Sequence, residues 1–192
     1  MLGDGCLHEA WPGTSKNYVF SKMHSVKQRE YLEWIHQKLQ PFTRNPLRLY
    51  ESTQSLRLRT IGHSTFTELR AKFYRDGKKV LPSDIRDVLQ DSLALAVWFM
   101  DDGNVRRRKG VIGGYNLNTQ SFTEEENTLV AKEFMDLYGI HACVEKNNGY
   151  HRIGIYAEES RNIFRSLFDW HVVPSMQYKL GSICDSLRTC RD

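Results

Sequence analysis

The sequence carries the same order of structural signals twice, and this internal repeat constrains the fold more than any single motif. An Asp-Gly pair at residues 4–5 returns at residues 102–103, after an apolar run over residues 93–100. Each pair is followed, thirteen or twelve residues after its glycine, by an aromatic strand signal. A helix, two alternating strands and a second helix follow in both copies. The repeat predicts an α+β fold of two pseudo-symmetric αββαββα halves, each with an antiparallel sheet.

Short local motifs mark where the predicted elements begin and turn. Ser or Thr followed three positions later by Glu or Gln predicts a capping box at a helix start, and this pattern occurs at Ser25 with Gln28, Thr65 with Glu68, and Thr123 with Glu126. Asn148-Gly149 predicts a hairpin turn. Residues 47–50 and 56–59 alternate leucine with polar side chains, which predicts a second hairpin with leucines on one face.

The predicted boundaries are an N-terminal half over residues 1–80, a connecting segment over 81–92 and a C-terminal half over 93–192. With 192 residues, 40% of them hydrophobic, the chain is long enough to bury a sizeable core. Its longest apolar run is eight residues and no leader pattern opens it, so no membrane association is expected. Its four cysteines lack CxxC spacing, which favours free thiols in a reducing, intracellular compartment.

The charge of the chain is distributed unevenly. Lys and Arg total 27 against 23 for Asp and Glu, a formal +4 that is too small to demonstrate a polyanionic partner. Residues 1–90 carry a net +6, whereas residues 91–192 carry −2. Within that net-acidic part, residues 106–109 form an uninterrupted Arg-Arg-Arg-Lys run close to two carboxylates. The placement of the charge, more than its sum, favours a nucleic-acid partner.

The Asp-Gly ends of the repeat admit two interpretations. Such a pair at the end of a helix is common C-terminal punctuation. If the two helices pack side by side, however, Asp4 and Asp102 converge, and two converging carboxylates repel each other unless a divalent cation lies between them. Carboxylates that hold Mg²⁺ are what metal-assisted phosphodiester hydrolysis requires.

The second copy of the motif resembles a known family signature. Residues 95–103, Leu-Ala-Val-Trp-Phe-Met-Asp-Asp-Gly, look like the nine-residue motif of LAGLIDADG homing endonucleases, in the WFMDDG form of their intron-encoded branch. Residues 1–5 are similar to the end of a first, truncated copy. Residues 77–82, 117–123 and 173–180 are similar to further segments of the same family. The resemblance spans nearly the whole chain and implies a two-motif monomer whose halves pack through the motif helices.

The resemblance also implies the catalytic residues and the reaction. Asp4 and Asp102 match the catalytic, metal-binding acids, and Lys79 and Lys179 match the basic residues that act beside them. The implied cofactor is Mg²⁺, for which Mn²⁺ or Ca²⁺ can substitute at the same sites. The implied reaction is site-specific hydrolysis of both DNA strands. The seven histidines show no HNH or HExxH spacing, so a histidine-metal nuclease is disfavoured.

Strand residues that face away from the core are expected to contact double-stranded DNA, over a target of the order of twenty base pairs. Guanidinium and amide groups at such positions reach base edges or phosphates. The candidates in the first half are Lys16, Asn17, Tyr18, Lys22, Arg48, Arg57 and Arg59. The candidates in the second half are Arg106, Arg107, Arg108, Lys109, Tyr115, Asn116, Asn118, Lys146, Asn147 and Arg152. Outside the run at 106–109, a solvated strand face is an equal alternative for each single residue.

A member of the same family without nuclease activity is the alternative. It would be a maturase that binds group I intron RNA, or a DNA-binding regulator, and its acids need not hold a metal. Retention of both acids and both lysines favours cleavage, whereas the short first motif favours the alternative. A wrongly assigned start, a decaying element or a tolerated short helix would each account for that motif. The resemblance implies a mitochondrial or chloroplast matrix, or a bacterial cytoplasm, as the location.

Overall fold

The computed structural model describes residues 1–181, and its contacts divide the chain into two compact units, residues 1–78 and the part from Lys79 onwards. Residues 182–192 of the predicted C-terminal half lie outside the described residues. The predicted connecting segment, 81–92, is largely structured, because it contains one complete helix and the first residue of the next. Each unit is described by itself below.

The first unit is a four-stranded antiparallel sheet with two helices. Its strands are β1 (Cys6–Glu9), β2 (Tyr18–Ser25), β3 (Arg48–Tyr50) and β4 (Ser55–Arg59), and its helices are α1 (Arg29–Lys38) and α2 (Ser64–Phe73). Single 3-10 turns cover Val26–Gln28, Gln40–Phe42 and Glu51–Thr53, and the short strands β5 (Tyr74–Arg75) and β6 (Lys78–Lys79) follow. The strand order is β1-β2-β4-β3. Residues 1–5, the partial first motif, form no helix.

The second unit has the same arrangement of strands and helices, and in addition its copy of the motif forms a helix. Its helices are α3 (Ile85–Gln90), α4 (Ser92–Asp102), α5 (Glu124–Tyr138) and α6 (Glu158–Ser166), followed by 3-10 helices at Asp169–His171 and Pro174–Leu180. Its strands are β7 (Gly103–Arg108), β8 (Val111–Leu117), β9 (Ala142–Asn147) and β10 (Tyr150–Ile155). The sheet order is β7-β8-β10-β9, which is the same order as in the first unit. The predicted mixed fold with two antiparallel sheets is therefore confirmed.

Helix α4 is buried nearly all round, as its uniformly apolar sequence predicts. Trp98, Phe99 and Met100 are each at most 1% exposed. The ring of Phe99 packs against Tyr115 of β8 and Phe164 of α6, with centroid distances of 5.7 and 6.0 Å. Asp91 starts the helix by accepting from the backbone N–H groups of its first turn. Among residues 1–181, no helix has the length and apolar character that crossing a membrane requires.

Gly103 ends α4 for a steric reason rather than a conformational one. Its φ of −77° and ψ of 150° are extended backbone, so it is not the left-handed C-terminal cap that an Asp-Gly pair suggests. A Cβ on Gly103 would lie 2.2 Å from the Phe99 ring and 2.5 Å from the Phe99 carbonyl oxygen. Gly5 stands in the same place in the first unit, where a Cβ would lie 2.4 Å from the Phe20 ring. In both copies the chain needs a bare Cα to pass directly from the motif into the first strand.

The predicted local motifs are confirmed in part. Thr123 and Glu126 form a reciprocal capping box at the start of α5, and Asn148-Gly149 turns β9 into β10 with positive φ at both residues. The prediction at Ser25 is wrong, because its hydroxyl caps the 3-10 turn Val26–Gln28 rather than an α-helix. The prediction at Thr65 is also wrong, because the ring of His63 accepts from the backbone N–H of Thr65 and caps α2 from an earlier position in the chain.

Candidate functional site

The backbone of Asp102, at the end of α4, is held by Asn118. The main-chain N–H of Asn118 donates to the Asp102 carbonyl oxygen at 2.9 Å. Its side-chain amide donates to the same oxygen at 2.8 Å and to the Oδ1 of Asn104 at 3.0 Å. The sequence predicts a DNA contact for Asn118, but in the structure its side chain fixes the position of the motif acid. An amide that bridges two segments in this way acts as a support for Asp102.

Lys179 is the second support for the same helix end. It extends from the 3-10 helix Pro174–Leu180, and its Nζ donates to the carbonyl oxygens of Met100 and Asp101 at 2.6 and 2.7 Å. The last carbonyls of a helix carry partial negative charge, so an ammonium group there is stabilising. The sequence-predicted Lys179 and Asp102 are therefore close neighbours within the second unit. Lys79 lies half-buried in β6.

In the first unit, Asp4 lines a cavity of about 600 Å³ together with residues of all four strands of the sheet, among them Lys22 and Arg57. The Asp4 side chain is 48% exposed, and its Oδ2 lies 3.9 Å from the Nε2 of His24. The residues present fit a divalent cation, because carboxylate oxygens are hard donors and imidazole nitrogen is the commonest protein ligand for transition metals. Sequence reasoning missed His24, because its partner lies twenty residues away in the chain and the spacing matches no local metal motif.

The open face of the first sheet, on the side away from α1 and α2, carries three of the predicted arginines. Strand register places Arg57 opposite Arg48 on β3 and opposite Met23 on β2, and it places Arg59 opposite Ser21. Partners in an antiparallel register project to the same side. The leucines of the hairpin point to the other side, where Leu56 and Leu58 are at most 2% exposed. The predicted separation of leucine and arginine faces on β4 is confirmed.

Neighbouring groups orient these arginines. The Nη2 of Arg57 lies 3.4 Å from the Nε2 of His8, and the Nη2 of Arg59 donates to the carbonyl oxygen of Ala10 at 3.0 Å. The guanidinium of Arg48 lies 5.1 Å from the Tyr50 ring, and a hydrogen bond from Arg57 lowers the pKa of Tyr50. These side chains border an open cavity of about 480 Å³, whose rim also includes Trp11 and Arg44. A basic groove with exposed aromatic side chains is typical of a nucleic-acid interface.

The open face of the second sheet is built around Glu145. Its carboxylate accepts from the Nε and Nη2 of Arg152 at 3.2 and 3.1 Å and lies 3.6 Å from the Nη1 of Arg106. The guanidinium of Arg106 also lies 5.1 Å from the ring of Tyr156. Two predicted DNA-contacting arginines are thus held side by side on one face, with one carboxylate between them.

Tyr156 covers the middle of this open face. Its hydroxyl donates to the Oδ1 of Asn116 at 2.7 Å, which accounts for the burial of the Asn116 side chain. A Cβ on Gly114 would lie 2.2 Å from the Tyr156 ring and one on Gly154 would lie 2.5 Å from its hydroxyl oxygen, so the two glycines make room for the tyrosine. Burial raises the pKa of Tyr156, and the nearby Glu145 carboxylate raises it further.

Several predicted DNA contacts lie on the helix-bearing side instead. Tyr115 is 3% exposed, packs on Phe99, and its hydroxyl donates to the Leu180 carbonyl oxygen. Lys22 is 3% exposed and donates to the Tyr31 hydroxyl of α1 at 3.2 Å. The outward positions predicted for these two side chains are therefore wrong, because each lies on the face of its strand that packs against the core.

Four other candidates are also engaged by the scaffold or lie off the open faces. The Arg70 guanidinium of α2 lies 5.4 Å from the Tyr18 ring, and Asn17 accepts from the Thr67 hydroxyl at 3.2 Å. Arg107 donates to the carbonyl oxygens of Gly110 and Gly181. Lys146 is exposed but pairs in register with His151, whose ring lies 3.3 Å from a Glu124 carboxylate on α5. The remaining candidate DNA contacts lie at strand ends, in turns or in a loop, and their side chains are exposed or half-exposed: Arg108, Lys109, Asn147 and Lys16.

The sequence is similar to those of known proteins. A family model described as the LAGLIDADG DNA endonuclease family matches residues 1–163. The cytochrome b mRNA maturase bI2 of Debaryomyces hansenii is 29% identical over 197 residues, which cover 95% of this chain and 71% of that protein. The probable intron-encoded endonuclease 1 of Wickerhamomyces canadensis is 26% identical over 189 residues, which cover 94% of this chain and 80% of that protein.

A solved structure shares the fold. The homing endonuclease I-WcaI bound to its DNA recognition sequence matches with a TM-score of 0.81 and 23% identity, over 93% of this chain and 81% of that chain. The match covers both units of the chain.

Proposed function

Because the chain belongs to the LAGLIDADG DNA endonuclease family, we propose that it is a site-specific endonuclease that hydrolyses both strands of a DNA target. The observation that supports this most directly is the support of Asp102 by Lys179 and Asn118. Three hydrogen bonds from these side chains hold the last carbonyls of α4, so the motif acid extends from a fixed backbone. A site that must place a carboxylate accurately needs such support.

Asp4 and Asp102 are the proposed metal-binding acids, and Mg²⁺ is the proposed cofactor. A divalent cation supplies activation of water and stabilisation of charge on the phosphate and the leaving oxygen. The ammonium group of Lys179 adds positive charge near Asp102, which favours the anionic transition state of phosphodiester hydrolysis. Lys79 is the other proposed basic residue.

The two open faces are the proposed DNA-contacting surfaces. Arg48, Arg57 and Arg59 present guanidinium groups from the first sheet, and Arg106 and Arg152 present them from the second. Because the two faces carry different side chains, a single chain acting as a monomer would read an asymmetric target of the order of twenty base pairs. Its arginines favour guanine edges and phosphates.

The test is cleavage of DNA that contains the uninterrupted insertion site of the host gene, with Mg²⁺ present. Asp102→Asn and Asp4→Asn should each lose at least a hundredfold in cleavage rate, while their DNA affinity changes less than threefold. Asp136→Asn, an exposed acid on α5, is the matched control and should cut at the wild-type rate. Wild-type cutting by Asp102→Asn would refute the metal assignment.

A second function is supported by one relative. The matching maturase of Debaryomyces hansenii is named for cytochrome b mRNA, so binding of group I intron RNA is the alternative activity. It predicts specific binding of the folded intron, with affinity that survives Asp102→Asn and Asp4→Asn, and no cleavage of the uninterrupted DNA. A filter-binding assay with the intron and a scrambled RNA of equal length separates the two functions.

A further inference from the structure

We propose that His24 is a metal ligand beside Asp4, and that it gives the first unit a preference for Mn²⁺ and similar transition-metal ions over Mg²⁺ and Ca²⁺. This inference rests on the proposed metal role of Asp4 and adds a nitrogen donor to it. Both residues belong to the first unit, with Asp4 just before β1 and His24 near the end of β2.

The separation of the two side chains fits a shared ion. The Nε2 of His24 lies 3.9 Å from the Oδ2 of Asp4. That distance is too long for a hydrogen bond, which needs about 2.7–3.2 Å. Two atoms that each bind one ion at about 2.1 Å can be at most about 4.2 Å apart, so 3.9 Å lies within the span of a common ligand sphere.

The other ring nitrogen of His24 is engaged in the way that metal-binding histidines require. Its Nδ1 lies 2.9 Å from the Oε1 of Gln28, and an amide oxygen can only accept, so Nδ1 carries the proton. In the neutral ring, Nε2 then presents its lone pair on the side of Asp4. Ligating histidines commonly fix their tautomer through such a second hydrogen bond, which also raises the basicity of the ligating nitrogen.

The ring is also held in place by packing. The His24 side chain is 6% exposed, and its ring makes an edge contact with Tyr31 of α1 at a centroid distance of 5.2 Å. A ligand whose orientation is fixed before the ion arrives loses little conformational entropy on binding. The donor set within the first unit is one carboxylate oxygen and one imidazole nitrogen.

This donor set predicts metal selectivity. Mg²⁺ and Ca²⁺ take oxygen ligands almost exclusively, whereas imidazole is a common ligand of transition-metal ions, and Mn²⁺, although it binds imidazole less strongly than Zn²⁺ does, accepts it more readily than Mg²⁺ or Ca²⁺. His24 should therefore strengthen binding of transition-metal ions and leave the affinity for Ca²⁺ nearly unchanged. An acid-only site would show no such difference.

The experiment measures metal binding in the full chain without DNA, so that cleavage is not the readout. Asp102→Asn serves as the background, because it removes the second motif acid. In this background, long-range ¹H–¹⁵N spectra of the imidazoles are recorded as MnCl₂ is added in substoichiometric amounts. We expect the His24 resonances to broaden first, ahead of those of His36 on α1, whose Nε2 contacts a backbone carbonyl.

Titrations with Mn²⁺ and Ca²⁺ then compare His24→Asn with His36→Asn as the matched control. His24→Asn should lose at least tenfold in Mn²⁺ affinity and less than threefold in Ca²⁺ affinity, and His36→Asn should lose neither. Gln28→Leu leaves the ring in place and should still weaken Mn²⁺ binding about tenfold through its loss of the Nδ1 partner.

The failure of the His24 ligand assignment and the failure of the proposed metal role of Asp4 give different results. If adding Asp4→Asn abolishes Mn²⁺ binding while neither His24→Asn nor Gln28→Leu changes it, the ligand assignment is overturned and the metal role of Asp4 stands. If Asp4→Asn leaves Mn²⁺ affinity unchanged, the proposed metal role of Asp4 itself fails. Gln28→Leu needs no change at His24, so its loss of Mn²⁺ affinity still tests the ligand assignment if His24→Asn folds poorly.

Discussion

The ammonium group of Lys179 donates to the carbonyl oxygen of Met100 at 2.6 Å, and the same group reaches the carbonyl oxygen of Asp101. A residue expected to act in catalysis is thus also a structural cap for the motif helix. The two roles can be separated by measuring stability and cleavage on the same variants.

Lys179→Met should lower the free energy of unfolding by about 1.5–3 kcal/mol, because it removes charge-assisted hydrogen bonds from part-buried carbonyls. Cleavage should fall by much more than the fraction of unfolded protein explains. Denaturant unfolding and single-turnover cleavage measure the two effects. Lys132→Met, an exposed lysine on α5, is the control and should change neither. Unchanged stability in Lys179→Met would argue against the capping role.

Asn118→Ala should reduce cleavage with little effect on DNA affinity, because the side chain supports Asp102 and Asn104 rather than facing outward. We expect at least a tenfold loss in cleavage rate, less than a threefold change in dissociation constant, and about 1–2 kcal/mol of lost stability. A variant that binds DNA tenfold more weakly but cuts bound DNA normally would instead make Asn118 a DNA contact.

Glu145→Gln should tighten DNA binding and make it less selective. The carboxylate neutralises part of the charge of Arg106 and Arg152, so its removal leaves both guanidinium groups available to phosphates. The slope of log affinity against log salt should steepen by about one unit. Binding to target and unrelated duplexes is measured from low to moderate salt. Glu133→Gln, which releases Arg86 on the helix side, should leave the slope unchanged.

Alkaline pH should destabilise the fold in part through Tyr156. Burial raises its pKa in the folded state above the ordinary value of 10.0. Below about pH 10 the tyrosine is protonated in both states and contributes no pH dependence. Above that pH the unfolded chain loses the proton first, so stability falls as the pH rises. Tyr156→Phe should show a shallower fall in the free energy of unfolding between about pH 9.5 and 11, even if its stability at neutral pH is lower.

Patterns with a short period could be read from the sequence. The leucine and arginine alternation on β4, the capping box at Thr123 and the Asn148-Gly149 turn depend on neighbours within a few residues, and the structure confirms all three. The repeated arrangement of elements could also be predicted, because helix-type and strand-type hydrophobic patterns follow one another in the same order in both copies. The two sheets have the same strand order.

Features that depend on distant partners could not be read in this way. The faces of Lys22 and Tyr115 depend on strand phase, which a one-residue shift reverses. The hydrogen bond from Tyr156 to Asn116 joins residues forty positions apart, and His24 meets Asp4 only after β1 and β2 pair. No local spacing encodes these contacts.

The close contact at Gly103 determines which substitutions the motif can tolerate. Gly139, at the end of α5, has a φ of 66°, and a Cβ added there would meet no atom within 4 Å, so asparagine, which enters the left-handed region readily, should replace it at modest cost. At Gly103 any side chain meets Phe99 regardless of its backbone preference. Asparagine should therefore fail there as completely as alanine, and a smaller side chain at position 99 would not restore the fit, because the carbonyl oxygen of residue 99 lies 2.5 Å from the added Cβ.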